Sequence, residues 1–185
     1  MGTTVRDRII TIMDIEIRRE EQGDYQAVRL VNDLAFGQPG EGLMVAALRQ
    51  NPAFIPGLSL VALADGAVVG HILFSPIDIV TPGGPVSSLS LAPLAVHPDF
   101  QNNGIGGRLV EAGIEAARSQ GFDSIICMGH PGYYPRFGFR PASKWGIKPP
   151  MEAPDEAFMA LELVEGGLRG RSGVVAYPPE YDLAL

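Results

Sequence analysis

One segment constrains the fold more than any other: an apolar run, a glycine-rich loop and an amphipathic helix follow one another between residues 88 and 121. Ser88 to Val96 is rich in small and branched apolar residues and reads as a strand. After Pro98, Ile105, Leu109, Ala112 and Ala116 recur at helical spacing, with Arg108, Glu111, Glu115 and Arg118 on the opposite face. Gly121 supplies a helix stop. The join is Gln101, Asn102, Asn103, Gly104, Ile105, Gly106 and Gly107. Glycines let an anion approach the backbone there, and the free N–H groups of the helix's first turn point at it, aided by the helix dipole. Such a join is a pyrophosphate cradle that needs no basic side chain. Taken alone, it is equally an ordinary strand-to-helix turn.

Rival phosphate loops fit poorly. A Walker loop needs Gly-Lys-Ser/Thr, which is absent. The dinucleotide fingerprint needs a third glycine where Leu109 stands. It also needs an acidic residue closing a strand, whereas Asp123 opens one.

The charge balance narrows the partners. With 14 Lys and Arg against 21 Asp and Glu, the net charge is −7. That argues against a broad nucleic-acid grip, which needs clustered cations. It suits an amine substrate or plain solubility equally well. His71, His97 and His130 fall in no metal-ligand spacing, and the single Cys127 makes neither an intrachain disulfide nor a Cys-based zinc site. No apolar run approaches ~18 residues. The expectation is therefore no metal, no nucleic acid, no membrane, and a cytoplasmic location.

At 185 residues and 46% hydrophobic composition the chain reads as one domain with a real core. Its 23 Gly and 16 Pro follow no collagen period and form no Ser/Gln-rich run. They punctuate many short elements, which points to a loop-rich α/β domain. Arg6 stands where myristoylation requires Ser or Thr, and Asp14 and Glu16 interrupt the patch that a signal peptide would need. Regular patterning begins near Met13, so residues 1–12 are expected to be a dispensable extension, or Met13 the native start, with the domain spanning 13–185.

Ile15 and Ile17 alternate with Glu16 and Arg18 as in a half-exposed strand. Asp24 is an expected N-cap for a helix burying Ala27, Val28, Val31, Leu34 and Ala35, and a second helix is expected from Gly42 to Gln50. Leu58 to Ala64 reads as a buried strand, and Asp65-Gly66 as a hairpin turn into a strand from Ala67 to Phe74. Pro82 to Pro85 makes another turn. Ser124 to Met128, Phe158 to Val164 and Gly173 to Tyr177 are further strands, and the Gly/Pro-dense stretch 129–150 holds at most one short helix.

A second motif, Tyr133, Tyr134, Pro135, Arg136, Phe137, Gly138, Phe139, follows the glycine loop by about 30 residues. Together with Leu94-Ala95-Val96-His97-Pro98 and Gln-x-x-Gly-x-Gly, it resembles the GNAT superfamily of acyl-CoA-dependent N-acetyltransferases, in a branch with a Tyr-Tyr-x-Arg-Phe-Gly-Phe signature. The resemblance implies a single-domain α/β (α+β) fold: a mixed, mostly antiparallel sheet flanked by helices, with splayed central parallel strands. It implies acetyl-CoA as co-substrate. The pyrophosphate is bound by Gln101, Asn102, Asn103, Gly104, Ile105, Gly106 and Gly107, and the pantetheine arm by Leu94, Ala95 and Val96. Pro93 lacks an N–H and so interrupts the ladder where the strand bends away, although an edge-strand position would also accommodate it.

The resemblance also implies that Tyr134 is the general acid for the leaving thiolate; packing against coenzyme A, or in the core, is the competing role. Acetyl then passes to a primary amine by direct attack in a ternary complex. No single base stands out among Glu41, His71 and Asp78. Many relatives carry an Asn upstream of this tyrosine, near the position of Cys127, and this chain lacks it. Cys127 in its apolar strand reads as a buried inert thiol, and His97-Pro98 as a turn. His130, Lys144 and Trp145 border either the acceptor or only the surface.

The acceptor expected is a small-molecule or peptide amine, and the assembly a monomer or homodimer. Two other classes stay open: a non-catalytic coenzyme A sensor or interaction module, and a lysine or N-terminal protein acetyltransferase.

Overall fold

Alternation along the strands divides this molecule into layers. In the computed structural model, which describes residues 14–185, the described strands form one nine-stranded sheet. The extension expected over residues 1–12 lies outside the described residues. The strands are β1 (Ile15–Arg19), β2 (Ser59–Ala64), β3 (Ala67–Thr81), β4 (Gly84–Val96), β5 (Ser124–Met128), β6 (Arg140–Pro141), β7 (Ile147–Lys148), β8 (Phe158–Glu162) and β9 (Gly173–Ala176). Their order is β1-β2-β3-β4-β5-β8-β6, with β9 pairing β3 and β7. Pairing is antiparallel except for β4 with β5 and β7 with β9. This is the expected mixed, mostly antiparallel sheet.

Among the described residues three α-helices flank it: α1 (Tyr25–Phe36), α2 (Gly40–Leu48) and α3 (Ile105–Ser119). Val61, Leu63 and Leu73 pack with Val28, Met44, Val45 and Leu48 of α1 and α2. The alternate residues Leu60, Ala62, Ile72 and Phe74 pack with Ile105, Leu109, Val110 and Ile114 of α3. Because successive strand side chains point to opposite faces, α1 and α2 cover one face and α3 the other.

Asp65 (φ 48°) and Gly66 (φ 82°) form the two-residue turn between β2 and β3, a backbone that Asp-Gly adopts readily. β3 and β4 run longer than the expected Ala67–Phe74 and Ser88–Val96, and β3 continues through Pro76. That proline falls between the stretch paired with β2 and the stretch paired with β9, where β3 has β4 as its one strand neighbour.

The helix faces also differ from expectation. In α1 the buried residues are Val28, Val31 and Asn32, while Leu34 is exposed, because Asn32 is turned inward to a buried histidine. Asp24 precedes α1 without capping it by its side chain. Its carboxylate instead accepts from the Glu21 N–H at 2.8 Å and from Arg18 at 2.7 Å. The second helix begins at Gly40 rather than Gly42 and ends at Leu48. In α3 the buried stripe is Ile105, Leu109, Val110, Gly113, Ile114 and Ala117, leaving Ala112 and Ala116 at its margin. Gly121 ends α3 as expected, its N–H bonding Arg118 O while the Phe122 N–H reaches Ala117 O. Residues 129–150 hold two 3-10 turns, Tyr134–Phe137 and Ala142–Trp145, rather than at most one helix. Each is stopped by a left-handed glycine, Gly138 and Gly146.

Candidate active site

β4 and β5 pair side by side through two register pairs, Leu89 with Ile125 and Ser90 with Ile126, and then separate. Beyond that point β4 keeps β3 as its strand partner, with a register shift between Leu91 and Leu94 that leaves Ala92 and Pro93 outside the ladder. The residue without an N–H thus sits where the strand changes register. A cavity of about 1230 Å³ occupies the opening. It is lined by Glu41 and Met44 from one face and by Gly106, Gly107 and Arg108 from the other, so it passes through the sheet.

The glycine loop closes one side of this cavity. His97 Nδ1 accepts from the Asp99 N–H at 3.1 Å, and a 3-10 turn over Pro98–Phe100 follows, so His97 is a turn residue. Gln101 Nε2 donates to Val96 O at 2.9 Å, and Asn103 Nδ2 donates to the carbonyls of Phe100 and Gln101. Asn102 (φ 63°) and Gly104 (φ 78°) adopt left-handed backbone, which swings the chain into α3 with its first-turn amides uncapped by any side chain. Gln101, Asn102, Gly104, Ile105, Gly106 and Gly107 line the cavity, as do Leu94 and Val96. Ala95 is buried, facing away, and Asn103 braces the loop from outside the lining. A Cβ at Gly106 would lie 3.0 Å from the Tyr133 hydroxyl, so the bare backbone keeps this wall open.

Tyr134 lines the cavity from the first residue of its 3-10 turn, mostly buried. Its ring meets Tyr133 and Phe139 edge-on at centroid distances of 5.1 and 5.8 Å, and it lies across Gly129, where a Cβ would overlap it. Burial, then the neighbouring Cys127, pushes the phenol pKa far up, so Tyr134 holds its proton at neutral pH. Cys127 is itself pushed up to about 12 by burial, which makes it an inert thiol as expected.

The three candidate bases separate cleanly. Glu41 lines the cavity, held by Gln38 Nε2 at 3.1 and 3.2 Å. Asp78 is exposed on β3, outside the cavity lining. His71 is fully buried beneath α1, also outside it. Asn32 Nδ2 donates to His71 Nδ1 at 3.2 Å, and His71 Nε2 lies 3.0 Å from Ser59 Oγ, which donates to Glu20. Burial, then the charge of Arg49, lowers the His71 pKa to about 3, so it is neutral and structural. Lys144 and Trp145 stack on each other away from the cavity, whereas His130 lines it.

The sequence model of the Acetyltransferase (GNAT) family matches residues 15–139, which contain the sheet opening, the glycine loop and Tyr134. The chain belongs to the GNAT acetyltransferase family. Membership makes it an acyl-CoA-dependent acyltransferase. It is similar to the Uncharacterized N-acetyltransferase YjhQ of Escherichia coli (strain K12), at 37% identity over 80% of this chain and 82% of that one. Its fold matches the GNAT family N-acetyltransferase YhbS from Escherichia coli in complex with CoA. There the TM-score is 0.85 at 27% identity, covering 92% of this chain and 93% of the other. It also matches a GNAT family acetyltransferase from Brucella melitensis in complex with acetyl-CoA, with a TM-score of 0.73 at 34% identity, covering 91% and 99%.

In this GNAT chain the sequence reading missed several cavity residues. Arg108 and Arg136 line it; Arg108 donates to Ile15 O at 2.7 Å, and Arg136 lies 4.5 Å from the centroid of the Tyr133 ring. The motif spelled out Arg136 without a role, and Arg108 read as one more polar helix residue. Tyr181 and Ala184, from the C-terminal 3-10 turn Pro179–Ala184, also line the cavity. No local signal marks them, since only docking of that turn on α2 brings them there. Among the described residues no group of three His, Cys, Asp or Glu is placed to hold a metal ion, and no helix is long and apolar enough to cross a membrane.

Proposed function

We propose that this GNAT chain transfers the acetyl group of acetyl-CoA to a primary amine by direct attack in a ternary complex, with residues 13–185 as the catalytic unit. The observation that carries the reading is the cavity through the sheet, which brings the α3 N-terminus, the open edge of β4 and Tyr134 to one space. The residues present suit coenzyme A. Uncapped first-turn amides and side-chain-free positions at Gly104, Gly106 and Gly107 accept a pyrophosphate, with Gln101 and Asn103 bracing the loop. Leu94 to Val96 offer a strand edge with no second strand partner to the pantetheine amides. Both neighbours named with CoA or acetyl-CoA share this fold.

Acetyl-CoA supplies the acyl group as a thioester. Backbone amides of the Leu94–Val96 edge polarise the carbonyl under attack. The amine nitrogen bonds to the carbonyl carbon, the carbon–sulfur bond breaks, and Tyr134 Oη delivers its proton to the departing sulfur. The nitrogen sheds one proton, for which Glu41 is the carboxylate on the acceptor side of the cavity. Direct attack needs no covalent enzyme intermediate, consistent with the inert Cys127. The test is thiol release from acetyl-CoA over a panel of amines and peptides, with acetyl-CoA binding measured by calorimetry. Binding without turnover on any acceptor would move the assignment to a coenzyme A sensor. Absence of binding would refute it.

A further inference from the structure

The two halves of the cavity carry different charge. On the α3 side stand Arg108 and Arg136 with one carboxylate, Glu111, so cations outnumber carboxylates there. On the α1 and α2 side the lining has one carboxylate, Glu41, and neither an arginine nor a lysine. Its walls there are apolar: Phe36 at the end of α1, Met44 of α2, and Met128, which alternates with the inward Cys127 and so faces this side. The C-terminal turn completes the enclosure. The Tyr181 ring lines the cavity, stacked on Tyr177 at 4.8 Å between centroids. Its hydroxyl is buried and directed at Ser75 and Ser90.

Glu41 is half-buried beside these apolar walls, where a carboxylate attracts a cation more strongly than in bulk water, since the local dielectric is lower. The same carboxylate repels a second one, and no cation on this side would pair it, so an acceptor bearing a carboxylate must lose its hydration uncompensated. Resting on the acetyl-transfer reading, we infer that the acceptor is an organic ammonium with an apolar body and no carboxylate. Its charged nitrogen is received by Glu41, and its body by Phe36, Met44 and the Tyr181 ring. Glu41 is then a specificity-determining residue, and the C-terminal turn is part of the acceptor site.

A matched pair of acceptors tests this: phenethylamine, and phenylalanine, which has the same body with a carboxylate added. Thiol release should give phenethylamine a kcat/KM at least about tenfold above phenylalanine. Glu41→Gln should shrink that preference about tenfold or more, and Tyr181→Leu should raise the KM for phenethylamine, while acetyl-CoA affinity by calorimetry stays within about twofold in both variants. Equal or better use of phenylalanine, or an unchanged preference in Glu41→Gln, overturns the inference and leaves acetyl transfer standing. Acetyl-CoA binding with no turnover of either acceptor also overturns this acceptor class. If wild-type protein does not bind acetyl-CoA, the acetyl-transfer reading itself fails and the inference with it.

Discussion

Gly113 of α3 lies directly on the ring of Phe74 in β3, so close that a Cβ at Gly113 would overlap it. Phe74 is fully buried, its ring held between α3 and the sheet, and cannot swing aside freely. Gly113→Ala is therefore expected to destabilise the fold by about 1–3 kcal/mol despite alanine's better helix propensity. Thermal unfolding should show a lower Tm, and Gly113→Ala with Phe74→Leu should recover part of it. A single variant as stable as wild type would contradict the packing argument.

Tyr134 as general acid predicts a separation of chemistry from binding. Tyr134→Phe should lower kcat about 100-fold or more with acetyl-CoA affinity nearly unchanged. Gly129→Ala should also lower kcat, because its Cβ displaces the Tyr134 ring. Steady-state kinetics alongside calorimetry decides the matter, and an unchanged kcat in Tyr134→Phe removes the acid role.

His71 links stability to pH. Its pKa falls from 6.5 unfolded to about 3 folded. Between those values the unfolded chain binds the extra proton, so stability falls as pH falls. The contribution is complete above 6.5 and lost progressively toward 3. Asp24, held below its usual 3.8 by Arg18, acts in a lower window, its contribution fading on further acidification. The drop in Tm between about pH 7.5 and about pH 5 should be smaller in His71→Gln than in wild type. Identical slopes would show that His71 does not carry this linkage.

Glu20 and Arg49 form a buried ion pair beside that histidine, with Arg49 also 3.9 Å from the centroid of the Tyr25 ring. Arg49→Met leaves the Glu20 carboxylate without its cation and is expected to lose about 3–5 kcal/mol in urea unfolding. Pairing it with Glu20→Gln should restore part of that loss. If the double variant is no better than the single, the pair is not the source.

Deleting residues 2–12 is expected to leave Tm within about 2 °C of the full chain, since regular patterning in the sequence begins near Met13 and the first described strand begins at Ile15. A large drop in thermal stability would place those residues in the domain.

Legibility followed the range of each signal. Asp65-Gly66, the strand Ser124–Met128 and the stop at Gly121 depend on neighbouring residues, and they were readable as such. The glycine loop was readable for the same reason, because Gly104 and Asn102 must adopt left-handed backbone on their own account. What escaped depends on partners distant in the chain. Asn32 is buried because His71 lies 39 residues away in sequence and within hydrogen-bond distance in space. The same contact takes His71 out of the active site, though its place on the third strand made it a candidate base. The run of β3 beyond Phe74 escaped because the place of Pro76 between two partner strands is a property of the assembled sheet. Tyr181 reaches the cavity through the docking of a turn whose own residues announce only a chain end.

The early parting of β4 from β5 gives this sheet an edge in its interior. Exposed edges ordinarily invite strands from other molecules and must be blunted. Here helices on both faces and the C-terminal turn line the opening beside that edge. A thin, linear chain carrying amide groups can thread it. On the proposed function, the edge that would otherwise invite a foreign strand is the one taken by the pantetheine arm.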